Sequence, residues 1–298
     1  MKVFVTGATG YIGGSVAVGL LKAGYRVVGL ARSEARAAAL EDRGVASVLG
    51  SLDDADFLRD QARDADAVIN AADAEHAGAV EALLAGLAGS DKLFIQTSGS
   101  SIVGDLAEGR PGEAVYDEDT AFEPLPGRAN RVALNNRVLE AASDGLRSLV
   151  IAPTLIYGPG RGVNPDSIQV PWLVALAKKH GRARHIGPGE NLWANVHIDD
   201  LVDLYLLALE KAPAGAFYYA ENGENTMREV CEAINAALGY PQPPEPMSIE
   251  EAAAEWGEGA ANYTMGSNSR VRAKRARVEF SWAPHRCSLL EEIAASCR

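Results

Sequence analysis

From the start of the chain to about residue 150, short apolar, β-branched runs alternate with Ala/Leu-rich amphipathic stretches. The runs fall at residues 3–5, 26–30, 47–49, 67–70, 93–97 and 149–152. Between them, helical spacing covers 12–22, 33–42, 54–63, 75–88 and 131–143. Strands this continuously apolar need cover on both faces, which a parallel sheet with crossover helices provides. The expected architecture is α/β: a doubly wound parallel sheet of the Rossmann kind over residues 1–152, ready to bind a nucleotide.

After Pro153 the rhythm changes. Pro and Gly cluster in P-T-L-I-Y-G-P-G (153–160), followed by a helix at 172–180 and a strand pair near 184–186 and 195–198. A helix at 199–211, a strand at 216–219 and a helix at 227–238 come next. Four prolines at 241–246 predict a loop, and a short helix is expected from Ser288. These segments predict a smaller C-terminal α/β substrate lobe over 153–298, with some of them returning to the first sheet.

Composition narrows the function. Of 298 residues, 47% are hydrophobic, which is enough for a sizeable core. Lys and Arg number 28 against 40 Asp and Glu, a net charge of −12 that repels phosphate backbones and anionic lipid. Neither a nucleic-acid nor a membrane partner is therefore expected; the partner is a small-molecule substrate. The basic run at 270–277 reads as a solvated face or the edge of the substrate lobe. Three cysteines (Cys231, Cys287, Cys297) match neither a disulfide framework nor a zinc site, so a reduced compartment and no metal are expected. The opening residues read as a strand rather than a leader, which predicts a cytoplasmic protein.

The strongest motif is T-G-A-T-G-Y-I-G, residues 6–13, placed directly after the first strand and opening the first helix. Gly7 suits the tight turn, Gly10 lets backbone approach a diphosphate, and Gly13 lets helix and strand pack closely. The helix N-terminus adds unpaired amides for the anion, with Thr9, Tyr11 and Ile12 in the same loop. At the end of the second strand, where an NAD site usually carries an acid, stands Ala31, followed by Arg32 and Ser33, with Arg36 a turn later. A guanidinium can fork onto a 2′-phosphate, so NADP(H) is favoured over NAD(H). Ser51, Leu52, Ala71, Ala72, Thr97, Arg131 and Pro153 complete the expected coenzyme set.

With these residues the chain resembles the extended and atypical short-chain dehydrogenase/reductases, the NAD-dependent epimerase/dehydratase group. The likeness runs through Y-D-E-D-T-A-F-E-P-L-P (116–126), A-P-T-L-I-Y-G-P-G (152–160), W-A-N-V-H-I-D-D (193–200) and the section 270–284 near the C-terminus, which opens R-V-R-A-K-R-A-R and ends in W-A-P. The resemblance implies a Ser, a Tyr and, four residues on, a Lys as the working set. In register, Gly99 takes the Ser position, Gly127 the Tyr position and Arg131 the Lys position. Arg131 can hold the ribose and supply positive potential, but it does not give up a proton. A donor has to come from elsewhere: Tyr157, in the loop that the resemblance places beside the nicotinamide, or Ser100 or Ser101. His197 is expected to hold structure, and Asp199 and Asp200 to cap the helix that follows.

Three functions stay open in this order. The first is an NADP(H)-dependent oxidoreductase acting on a small carbonyl or alcohol. The second is an epimerase or dehydratase acting on a substrate like a nucleotide sugar. The third is a non-catalytic NADP(H)-binding redox sensor. The resemblance also implies a homodimer through the helices around Arg131.

Overall fold

Alternation within each apolar run sets the two faces of the central sheet. In a computed structural model describing residues 1–296, the sheet is built from β1 (Lys2–Thr6), β2 (Arg26–Ala31), β3 (Ala46–Leu49), β4 (Ala67–Asn70), β5 (Leu93–Thr97) and β6 (Arg147–Pro153). The connecting helices are α1 (Tyr11–Lys22), α2 (Glu34–Glu41), α3 (Ala55–Asp64), α4 (Ala77–Leu87) and α5 (Pro126–Glu140). Cys297, one of the three thiols, lies outside the described residues.

The C-terminal part contributes β7 (Leu155–Tyr157), α6 (Gln169–His180), β8 (Arg184–Ile186), β9 (Leu192–His197), α7 (Ile198–Lys211) and β10 (Ala216–Ala220). It continues with β11 (Glu224–Thr226), α8 (Met227–Leu238), β12 (Glu245–Met247), α9 (Ile249–Trp256) and α10 (Glu258–Ala260). A π-helical turn, Ala261–Met265, then leads to α11 (Lys274–Phe280) and α12 (Leu289–Ser296).

The main sheet has seven parallel strands in the order β10-β6-β5-β4-β1-β2-β3. The apolar run at 216–220 thus returns to pair with β6, Ala216 opposite Leu149. One face packs Val3, Val5, Ile95 and Ile151 against Leu201, Leu204 and Tyr205 of α7. The other packs Phe4, Val68, Phe94 and Val150 against Leu58, Leu83 and Val138. A separate cluster under the C-terminal segments gathers Leu173, Trp193, Met227, Ile234, Ala252 and Ile293.

Three local expectations need correction. α5 begins at Pro126, not at 131, because a proline pre-set for the first helical position starts it earlier. β8 and β9 do not pair: β8 lies parallel to β12, while β9 joins β7 and β11. The proline-rich segment 241–246 is not wholly loop, since Glu245 and Pro246 enter β12, an edge strand that tolerates proline.

Candidate active site

Parallel strands all end at one edge, and the loops leaving that edge meet there. Gly7 has φ +68°, a left-handed conformation that favours glycine. A Cβ there would collide with the Ala71 carbonyl and lie 2.7 Å from Ala72 N, so the loops leaving β1 and β4 touch. The Gly10 amide donates to the Gly7 carbonyl at 2.8 Å and closes the turn. At Gly13 a Cβ would strike that same carbonyl, which explains the helix packing tightly on its own loop. α1 starts with no capping side chain and no acid in its first turn, leaving an electropositive end. Thr9 and Ile12 are half-buried beside it. Tyr11 is buried and donates from Oη to the Gly158 carbonyl at 2.7 Å, tying α1 to the loop after β7. Burial pushes its phenol far above the ordinary range.

At the end of β2, Ala31 is followed by Arg32, Ser33 and Arg36, all exposed. Ser33 caps α2, accepting the Arg36 amide at 3.4 Å. Among the described residues neither Arg32 nor Arg36 forms an ion pair. Half-buried Ser51 and Leu52 leave β3 nearby, where Ser51 donates to Asp53 at 3.1 Å. Thr97 is turned elsewhere: its buried hydroxyl pairs with Tyr205 at 2.7 Å, so only its backbone stays at the strand end. Below the loops, Thr6 bonds Asn70, and Asn70 donates to Gln96 at 2.8 Å. This buried polar row was not foreseen.

Gly99, Arg131 and Pro153 do come together. A Cβ on Gly99 would lie 3.6 Å from Arg131 Nη1 and 3.9 Å from the Pro153 carbonyl. Arg131 donates from Nη1 to Ser101 at 3.3 Å and from Nη2 to Glu75 at 2.7 Å, while its buried Nε has no partner. Arg128 approaches the same Glu75 at 4.0 Å. Neither Glu75 nor Arg128 stood out in the sequence; the one signal for Arg128 was its place in the turn before Arg131.

Two expected proton donors are taken up by the fold. Ser100 is buried and bonds Ser269 at 2.7 Å, so Ser101 is the serine that meets Arg131. Tyr157 is buried and donates to the Cys287 carbonyl at 2.8 Å, with its ring edge-on to His197. Tyr157 closes β7 instead of lying in the loop where it was expected, and its hydroxyl turns toward the C-terminal segment. Desolvation raises its phenol well beyond the ordinary range.

The helix cap is likewise reassigned. His197 Nδ1, not an aspartate, accepts the Asp199 amide at 3.0 Å. Asp199 holds Arg161 through two bonds of 2.8 and 2.6 Å. Asp200 is fully buried and accepts the amides of His285 and Arg286 at 3.0 and 3.2 Å.

Each base of the run 270–277 faces an acid. Arg270 and Arg272 share Glu224, Lys274 and Arg275 share Asp119 at 2.6 and 2.7 Å, and Arg277 lies 3.4 Å from Glu221. Beside the start of α5, a cavity of about 340 Å³ is lined by Val103, Tyr116, Phe122, Leu125, Asn268 and Arg270, among others.

The model of the NAD dependent epimerase/dehydratase family matches residues 3–219. The chain is 32% identical to oxidase ucsJ of an Acremonium species, covering 98% of this chain and 95% of that protein. It is 30% identical to the 2-alkyl-3-oxoalkanoate reductase of Stenotrophomonas maltophilia, over 85% of this chain and 80% of the relative. Among solved structures, a dTDP-glucose 4,6-dehydratase from Streptomyces venezuelae with NAD bound superposes with a TM-score of 0.79 at 20% identity, covering 100% and 96% of the two chains. Loop, sheet order and sequence likeness agree: the chain belongs to the NAD dependent epimerase/dehydratase family.

Proposed function

We propose that this protein is an NADP(H)-dependent oxidoreductase that interconverts a small carbonyl compound and its alcohol. The coenzyme fits the residues present. The glycine cradle before α1 leaves the first helical amides without a capping side chain, which suits a diphosphate. Exposed Arg32 and Arg36, with no acid at Ala31, suit a 2′-phosphate. Arg131, with an unpartnered Nε and two further donors, suits the hydroxyls of a ribose. When bound, the reduced nicotinamide supplies a hydride. The protein orients the carbonyl, excludes water and places positive charge where an alkoxide develops.

The observation that carries the substrate class is the neutralised run 270–277. A nucleotide sugar brings a diphosphate that needs free cations, yet each of these five bases is matched to an acid. The relative named 2-alkyl-3-oxoalkanoate reductase supports a 3-oxo acid or ester as the first compound to try.

The test is direct. Purified protein, NADPH and ethyl 2-methylacetoacetate should give net NADPH oxidation, and UDP-glucose should give none. No oxidation with any ketone, aldehyde or imine, together with epimerised sugar and no net NADPH loss, would overturn the reading.

A further inference from the structure

The second residue of α5 is Gly127, at the position where the resemblance implies a phenol, and backbone geometry does not explain that glycine. Gly127 is not in the left-handed region, and glycine weakens a helix. What occupies the space is another phenol. A Cβ built on Gly127 would lie 2.6 Å from Cζ of Tyr263, 2.7 Å from its Oη and 3.0 Å from its Cε2. The ring arrives from the π-helical turn Ala261–Met265 in the C-terminal lobe, an irregularity often found at functional sites. The Arg128 guanidinium lies over the ring, 4.9 Å from its centroid. Tyr263 is half-buried, and its Oη has no hydrogen-bond partner among the described residues.

We propose that Tyr263 Oη is the proton donor of carbonyl reduction, supplied across the lobe interface in place of the phenol that α5 lacks. This rests on the carbonyl-reductase reading above. The carbonyl carbon gains a hydride with its electron pair from the reduced coenzyme, and the carbonyl oxygen gains the Tyr263 proton. The Oη–H bond breaks, and the phenolate recovers a proton from water. Arg128 over the ring offsets the negative charge left on Oη, and Arg131 stands one turn further along α5. Gly127 and Tyr263 are then one device: the ring can reach the helix only because residue 127 has no side chain.

The test uses the full chain. Tyr263→Phe should lower kcat for ethyl 2-methylacetoacetate about 100-fold or more while NADPH affinity, read by fluorescence titration, stays within twofold. A second readout needs no turnover. In protein labelled with 3-fluorotyrosine, the ¹⁹F resonance that Tyr263→Phe deletes should shift when NADP⁺ is added. Tyr263→Phe with wild-type kcat, or a Tyr263 resonance that stays put while the coenzyme binds, overturns the proposal. If wild-type protein binds coenzyme and reduces ketones, such failures leave the reductase reading standing. If it does neither, both fall together.

Discussion

Arg131 Nη2 lies 2.7 Å from Glu75 Oε1, joining α5 to the loop that leaves β4. The Glu75 side chain is 41% exposed, so the pair itself contributes no more than about 1 kcal/mol to folding. Loss of the Arg131 charge should therefore appear in coenzyme binding, not in stability. Arg131→Met is expected to weaken NADPH binding by about tenfold or more, from lost charge-assisted hydrogen bonds of about 1.5–3 kcal/mol. Its melting temperature should stay within about 4 °C. Arg131→Lys should keep most of the affinity. Titration by coenzyme fluorescence beside a thermal melt checks all three, and unaltered NADPH binding in Arg131→Met would remove Arg131 from the site.

The second prediction concerns coenzyme choice. Arg32 is exposed at the exit of β2 and engages no acid among the described residues. Arg32→Asp places a negative charge against a 2′-phosphate, so the Kd for NADPH should rise more than tenfold and that for NADH by less than twofold. Calorimetry with both coenzymes decides it. Equal losses would reassign the 2′-position.

The third prediction separates backbone strain from collision. Gly7 and Gly24 both have positive φ, +68° and +86°. Beyond Gly24 there is open space, so Gly24→Ala should cost only the left-handed penalty of about 1–2 kcal/mol. Gly7→Ala meets the Ala71 backbone in addition, and it should cost more and abolish coenzyme binding. Denaturant unfolding of the pair measures the difference. Equal destabilisation would mean the two loops do not touch.

The fourth is a pH dependence. Burial lowers the affinity of His185 and His197 for a proton below the ordinary histidine value. The unfolded chain therefore takes up protons first as pH falls below about 6.5. Stability should be fully present above that pH and decline as pH drops from about 6.5 toward 5. The slope is at most about 1.4 kcal/mol per pH unit for each histidine. His197→Asn keeps an acceptor for the Asp199 amide and should flatten the decline. A Tm independent of pH between 7 and 5 would contradict neutral, buried imidazoles.

The sheet was legible because β1, β4 and β5 carry local apolar runs that are buried on both faces, the polar residues falling mainly at the strand ends. The cradle was legible for a similar reason, since Gly7, Gly10 and Gly13 act within a single turn. What escaped was the direction of side chains fixed by distant segments. Tyr157 turns to Cys287, Ser100 to Ser269 and Thr97 to Tyr205, each partner more than a hundred residues away in the chain. The Tyr263 ring against Gly127 is of the same kind, again a contact between residues more than a hundred positions apart in the chain.

The return of β10 to the edge of β6 has a consequence for biosynthesis. Until Ala220 has left the ribosome, β6 presents an unpaired flank, and until α7 has emerged one broad apolar face of the nascent sheet lies bare. The first six strands therefore cannot mature as an early, self-sufficient unit. A chain cut after residue 153 should aggregate through that open flank rather than fold into a smaller nucleotide binder.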